Sequence, residues 1–461
     1  MEGIINAITG VLWSPVMVGV LLLTGLYFSI RTGFIQLRGL PDMLRIFKPG
    51  GESGSKEGIS SFHALCLSLA GRVGTGNIVG VATAIAIGGP GSVFWMWVVA
   101  FLNAATAFAE STLSQVYHFK HKGLWRGGPA AYISEGLHSK WLAVIFAVCT
   151  IAGSGLFGTT VQSNGAATAV YNTFGLNTVW GGCIIAAFTG IVVFGGVRRI
   201  AKVAGIITPF MALGYILISI IVLVCNHTAI IPAFKSIFTN AFGIHPLVSG
   251  IIGTTISMGV KRGLFSNEAG QGTGAISSAA AQVKHPVEQG LAQSFSVYID
   301  TLFICTATAL MILVTDSYNI VDPQTDTILL EKAPELGNNY VAFTQAAIST
   351  VFGSLGSAFV SISLLFFAFT TLMAYYFYSE SSIVYLFRGR SDRWRKFTMN
   401  AFNALFIAAI VYGSVKEADF VWSLADLGVG VMVWLNVAAL LLLSPIVLKS
   451  LEDYGSRKNR K

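Results

Sequence analysis

Long apolar runs separated by short polar loops dominate this chain. The runs lie near 11–30, 59–88, 91–117, 139–169, 179–197, 203–225, 246–281, 288–315, 344–387, 398–414 and 419–448. Most reach the ~20 residues that a helix needs to cross a bilayer. The pattern therefore predicts an all-α polytopic membrane protein of about 11 transmembrane helices, in one membrane domain spanning residues 1–461. Two runs are too long for straight rods, and each contains a Gly/Asn cluster: GRVGTGNIVG at 71–80 and GVKRGLFSNEAGQG at 259–272.

These clusters read as a repeat in helix breaks. Asn77 and Asn267 are 190 residues apart, each in the first span of a five-span block, 59–225 and 246–448. Five is odd, so the second block is inverted relative to the first. Glycine-interrupted spans at matching positions of two halves point to the binding site of a secondary transporter. The remaining run, 11–30, reads as a peripheral helix.

Charge fixes the expected orientation. Only 11% of residues are charged and 54% are hydrophobic, against roughly 25% charged in soluble domains. That excludes a soluble enzyme or a disordered chain. With the N-terminus outside, the inner loops carry 23 of the 29 Lys and Arg residues and the outer loops carry 3. Positive charge favours the cytoplasmic side, so the C-terminus is expected inside. The net charge of +8 then reflects topology and anionic lipid, not nucleic acid. The segment from Leu37 to Phe47 reads as lying flat on the inner leaflet, and the acidic stretch 315–340 falls outside. The first span reads as a retained helix, not a signal peptide. Five scattered cysteines lack metal or disulfide spacing and read as small apolar side chains. No HExxH-type motif suggests an enzyme, and no obligate protein partner is evident.

A broken helix exposes unpaired amides at one new end and unpaired carbonyls at the other. In hydrocarbon these need a ligand or a protein partner. The expected half-helix starts, near Asn77 and near Ser266–Asn267, would aim two positive dipole ends at the midplane, which suits a carboxylate. Ser266 and Asn267 are good N-cap types, and Glu268 suits a first turn. The opposing carbonyl ends suit an ammonium group or a bare cation. An amino acid is the simplest solute with both charges. Arg72, Lys261 and Arg262 lie within spans, where charge is rare and usually functional. Glu110, Glu268, Asp300 and Glu380 are candidate partners. Gln162 offers a donor and acceptor within the fourth span. Thr370 and Thr371, in FAFTTL at 367–372, offer hydroxyls to Na+, although threonine also bonds back to its own helix.

Four segments, RVGTGN at 72–77, GGPGSVFWMW at 88–97, RGGPAAYI at 126–133 and GLFSNEAG at 263–270, resemble the alanine or glycine:cation symporter family over nearly the whole chain. The resemblance implies a leucine-transporter-like 5+5 inverted repeat plus one N-terminal helix. It also implies Na+- or H+-driven uptake of small neutral amino acids across a bacterial or archaeal cytoplasmic membrane. By family position, Thr75, Gly76, Asn77, Gln162, Phe265, Ser266 and Asn267 stand near substrate, and Thr371 near Na+. The chain departs from many members at Tyr375, where they place a pocket-walling tryptophan. That leaves a larger neutral solute such as glutamine open.

Overall fold

The computed structural model describes residues 2–46, 58–243, 252–322, 325 and 327–459. Phe47, Lys48, Lys56, Asp326 and the expected start of the seventh run near Pro246 lie outside the described residues. Among the described residues, eight helices are long and apolar enough to cross a membrane. A ninth is counted if Ser61–Arg72 and Thr75–Gly88, bent by 57°, form one span. The apolar runs at 179–197 and 246–281 fall short of that length. The first is the helix Thr178–Val193, and the second is divided into Ile252–Asn267 and Thr273–Ala279.

The run at 344–387, expected as one span, is two helices. Gly353 adopts φ +56°, and there Tyr340–Phe352 ends and Ser354–Leu386 begins. The shorter helix folds back along the longer one so closely that a Cβ on Gly356 would sit 2.6 Å from the Ser349 amide nitrogen. Apolarity alone reads through this corner because both arms are apolar.

Burial separates a core from a lipid-facing shell. In Pro286–Val314, 78% of the most apolar stretch is buried, against 33% in Val197–Cys225 and 28% in Asp392–Val415. The exposed side of Val197–Cys225 carries Phe210, Leu213, Leu217 and Val224, an apolar face suited to lipid tails. Close packing brings in an element that the hydropathy pattern does not reveal. Ile230–Ala241 lies against Gly91–Val116, where Trp95 donates to the Ala241 carbonyl at 3.1 Å. The acidic stretch 315–340 contains an antiparallel hairpin, Asn319–Val321 with Ile328–Glu331. A second hairpin, Phe119–His121 with Leu124–Arg126, follows Gly91–Val116.

The first helical segment is interrupted at Trp13 and Ser14, between Glu2–Leu12 and Pro15–Arg31. Trp13 is buried and donates to the Asp426 carbonyl at 2.9 Å. This bond ties the first segment to Ala418–Leu442 near the other end of the sequence.

Candidate binding site at the helix breaks

The two broken spans run side by side in opposite directions. Ile59, at the start of the first, pairs with Ala281 beyond the end of the second. At the other end, Thr255 of the second span donates to the Gly88 carbonyl of the first at 2.7 Å. Between these ends the spans touch at their breaks. A Cβ on Gly76 would lie 3.2 Å from the Phe265 ring and 3.3 Å from the Ser266 Cα. A side chain at Gly76 would crowd both contacts, so the neighbouring span would have to give by a few tenths of an ångström.

The first break is compact. Ser61–Arg72 ends, a single 3-10 turn covers Thr75–Asn77, and helix resumes at Val79. Asn77 Oδ1 accepts from the Gly74 amide at 2.8 Å, and Gln162 Oε1 accepts from both the amide and the hydroxyl of Thr75 at 2.9 Å. Gln162 follows a π-helical segment, Gly153–Gly158, in the span Lys140–Phe174. Such wide turns frequently mark functional sites.

The second break lies later than the sequence suggests. Ile252–Asn267 stays helical through Ser266 and Asn267, and helix restarts only at Thr273. Ser266 and Asn267 therefore stand at a carbonyl end and do not cap a new helix; this corrects the expected amide end. Residues 268–272 form the gap, with left-handed backbone at Glu268 (φ +54°), Gly270 (+92°) and Gly272 (+91°). Side chains from distant helices hold this gap open. Glu110 Oε2 accepts from the Gly270 amide at 3.2 Å and from Asn436 Nδ2 at 3.0 Å. Asn436 Nδ2 also donates to the Gly270 carbonyl at 2.9 Å, and Tyr132 donates to Asn436 Oδ1. These contacts replace the helical ladder that the sequence pattern would otherwise continue.

The candidate residues converge, but in several sub-clusters. Thr75 joins Gln162, while Gly76 meets Phe265. Asn77 and Ser266 meet through Asp300: Asn77 Nδ2 donates to Asp300 Oδ1 at 2.6 Å, and Ser266 Oγ reaches its two oxygens at 3.0 and 2.9 Å. Asn267 bonds Thr301 at 3.4 Å. The two threonines point to different neighbours. Thr371 donates to the Ala70 carbonyl at 2.9 Å and lies 3.4 Å from the Val73 carbonyl, at the frayed end of the first half-helix. Thr370 bonds back to Phe366 and Phe367 and faces Met211, so its hydroxyl is turned from the break. Tyr375, one turn beyond Thr371, is 3% exposed and lies beside Gln162 and against Gly158.

Charge inside the spans is arranged differently from the pairs named by sequence. Lys261 and Arg262 share Asp426, which was not among the expected partners. Lys261 Nζ lies 2.6 Å from one oxygen, and Arg262 makes a bidentate pair at 3.1 Å. The Arg262 guanidinium also covers Trp422 at 4.1 Å, and Trp422 packs on Phe265 with ring centroids 4.7 Å apart. Glu380 pairs with Arg126 at 3.0 Å. Arg72 bonds the Gln293 carbonyl at 3.2 Å and the Gln293 side chain at 3.1 Å, and it also contacts Ser296. It reaches Glu110, Glu268 and Asp300 only through space. Two ion-pair groups thus stand at different positions along the bundle, one on Asp426 and one on Glu380.

The Arg126–Glu380 pair borders a cavity of about 300 Å³, lined also by His121, Phe194, Tyr376 and Arg395. Burial, then the neighbouring Arg395, holds His121 below the ordinary histidine range. The sequence offered Asp300 only as a possible partner for Arg72, Lys261 or Arg262. The available signal was an aspartate within an apolar run, which is a functional hypothesis in its own right.

The sodium:alanine symporter family matches residues 1–461. YrbD of Bacillus subtilis (strain 168), provisionally named a sodium/proton-dependent alanine carrier protein, is 49% identical, with 100% of this chain and 94% of the relative covered. GlnT of the same organism, provisionally named a sodium/glutamine symporter, is 41% identical over 99% of this chain and 91% of its own length. The sodium/alanine symporter AgcS of Methanococcus maripaludis is 36% identical, covering 99% and 98%. Among solved structures, a mutant form of a manganese transporter of Eremococcus coleocola aligns with a TM-score of 0.53 at 15% identity, covering 85% of this chain and 86% of that one. At that identity the likeness concerns the fold alone.

Proposed function

This chain belongs to the sodium:alanine symporter family, and on that premise we propose that it couples Na+ influx to uptake of alanine or glycine by alternating access. The family and its named relatives are transporters, not enzymes, and the apolar helices make this a multi-pass membrane protein. In this reading the halves 59–225 and 246–448 form a 5+5 inverted repeat around the breaks. The N-terminus faces outward, following the Lys and Arg distribution.

The observation that carries the reading is the antiparallel crossing of two broken spans at Gly76 and Phe265. Each break sets a carbonyl end beside an amide end in a buried position. The start of Val79–Gly88 favours the substrate carboxylate, and the ends of Ser61–Arg72 and Ile252–Asn267 favour its ammonium. Among the described residues, Arg72 Nη2 is a buried donor without a hydrogen-bond partner and supplies a further polar group. Thr75, Gly76, Asn77, Gln162, Phe265, Ser266, Asn267 and Tyr375 form the substrate neighbourhood. Thr371, with the Ala70 and Val73 carbonyls, offers hard oxygens to Na+. Thr370 keeps a packing role.

The ion pairs on Asp426 and Glu380 suit closures on opposite sides of this centre, opened alternately. Glutamine is the second reading, favoured by Tyr375 where many relatives place tryptophan and by the likeness to GlnT. Uptake of labelled alanine, glycine and glutamine into proteoliposomes tests both. Alanine and glycine should accumulate under an inward Na+ gradient alone. Accumulation of glutamine in their place selects the second reading, and accumulation driven only by a proton gradient overturns Na+ coupling.

A further inference from the structure

The cavity beside Arg126 and Glu380 has a cationic wall that extends beyond that ion pair. It lies where several elements end or turn. These are the hairpin Phe119–His121 with Leu124–Arg126, the turn 194–196 between Thr178–Val193 and Val197–Cys225, the last turns of Ser354–Leu386, and the start of Asp392–Val415. Arg126, Arg395 and Lys122 line it, and the carboxylates paired with them are Glu380 and Asp392. One positive charge is therefore in excess. Asp392 compensates weakly, because its side chain is 60% exposed and water screens the pair.

The donors on this wall are not all used. Arg126 is 4% exposed; its Nη2 donates to Glu380 at 3.0 Å and its Nη1 to the Trp125 carbonyl at 3.2 Å. Its buried Nε–H has no hydrogen-bond partner. An unpaired buried donor on a guanidinium is costly, and an anion is its strongest acceptor. Arg395 meets Nε2 of His121. Arginine has no acceptor, so Nε2 must offer its lone pair, and the neutral imidazole then carries its proton on Nδ1. His121 thereby becomes a further donor.

The opposite wall is apolar, with Val193, Phe194, Val197, Ile200 and Met399. Phe194 is 57% exposed, so the cavity reaches the molecular surface there. Phe188 and Ile191, exposed at three-residue intervals before it, carry the apolar surface along Thr178–Val193. Trp394 and Phe397, exposed beside Arg395, pack edge to face with ring centroids 6.2 Å apart. Tryptophan favours the headgroup level of a membrane. A soluble anion would use the cationic wall alone, whereas a phosphate attached to hydrocarbon uses both. Basic pockets between membrane helices suit such lipids.

We propose that this cavity binds the phosphate headgroup of an anionic phospholipid. Arg126, Arg395 and Lys122 hold the phosphate, and the acyl chains lie on Phe194 and the exposed face of Thr178–Val193. The site requires only a membrane surface at this end of the bundle. It is independent of the transported solute and of the coupling ion.

The test is native mass spectrometry of the full chain, stripped of lipid in a neutral detergent and titrated with dioleoyl phosphatidylglycerol. Wild type should bind one molecule at least about tenfold more tightly than dioleoyl phosphatidylcholine, whose headgroup has no net charge. Arg395→Gln should weaken that step about tenfold, as expected for one charge-assisted contact. Lys122→Gln, at an exposed side chain, should weaken it about threefold and decides the matter if Arg395→Gln does not fold. Lys449→Gln removes an exposed charge outside the cavity and should leave binding unchanged. Equal affinity for the two lipids, or unchanged affinity in Arg395→Gln and Lys122→Gln, overturns the proposal. An equal loss in Lys449→Gln also overturns it, since general charge then suffices. Inorganic phosphate that displaces the lipid at matching concentration overturns it in favour of a soluble anion.

Discussion

The two breaks interrupt neighbouring antiparallel spans, yet they are stabilised in opposite ways. The first is short and partly self-sufficient: a 3-10 turn and an asparagine bonded three residues back, joined by Gln162, Thr371 and Asp300 from outside. The second is a five-residue gap with three left-handed residues, and it depends on Glu110, Asn436 and Tyr132 from other helices. An opening in a membrane helix must satisfy its freed backbone groups somewhere. The first break does so partly within its own turn, and the second exports the task to the tertiary structure. Perturbing the second should therefore damage folding, while perturbing the first should damage binding.

The largest effect is expected from Gly272→Ala. The residue has φ +91°, and a Cβ would sit 2.4 Å from Pro129 Cγ. Backbone strain and overpacking each cost about 1–3 kcal/mol, so the melting temperature in detergent should fall by several degrees. Unaltered melting would show that the second break does not need its left-handed turn.

Next come Asn436→Ala and Gln162→Ala as a matched pair. Asn436→Ala removes the donor shared by Glu110 and the Gly270 carbonyl, and each buried group left unpaired costs about 1–3 kcal/mol. It should lower stability clearly. Gln162→Ala should lower alanine affinity with a smaller loss of stability, because the first break keeps its own turn. Equal losses of stability in the two variants, measured by thermal melting beside binding, would erase the distinction between the breaks.

Thr371→Val sharpens the comparison within the first break. It deletes the hydroxyl on the Ala70 and Val73 carbonyls while nearly keeping volume. Half-saturating Na+ for uptake should rise about 3–10-fold, the value of one oxygen contact. Na+ dependence equal to wild type would move the ion from that position.

The smallest effect concerns Tyr375, which lies beside Gln162 and against Gly158. Tyr375→Trp should penalise glutamine more than alanine, since extra ring volume meets only the longer solute. One or two misfitted methylenes are worth roughly 1–3 kcal/mol. Competition binding on both proteins measures the ratio, and a change below about twofold would remove Tyr375 as a size filter.

The first break was readable from residues because its turn is built from neighbours in sequence. Gly74, Gly76 and Asn77 lie within four positions and determine its geometry. The second misled at Ser266–Asn267–Glu268, where a capping pattern suggests a helix start. Caps act locally, but here Asp300 engages Ser266, Thr301 engages Asn267, and the chain opens only afterward. The corner at Gly353 escaped notice for a similar reason, since apolar residues continue on both sides.

By itself, the sequence determined which segments avoid water, that two of them break, and that charge buried within spans needs a reason. Those are properties of composition and short-range pattern. Only the tertiary structure decided that Lys261 and Arg262 meet Asp426, that Thr371 faces the break while Thr370 does not, and that Asp300 joins Asn77 to Ser266. Pairing energy depends on distance and direction between helices far apart in the chain, and hydropathy carries neither.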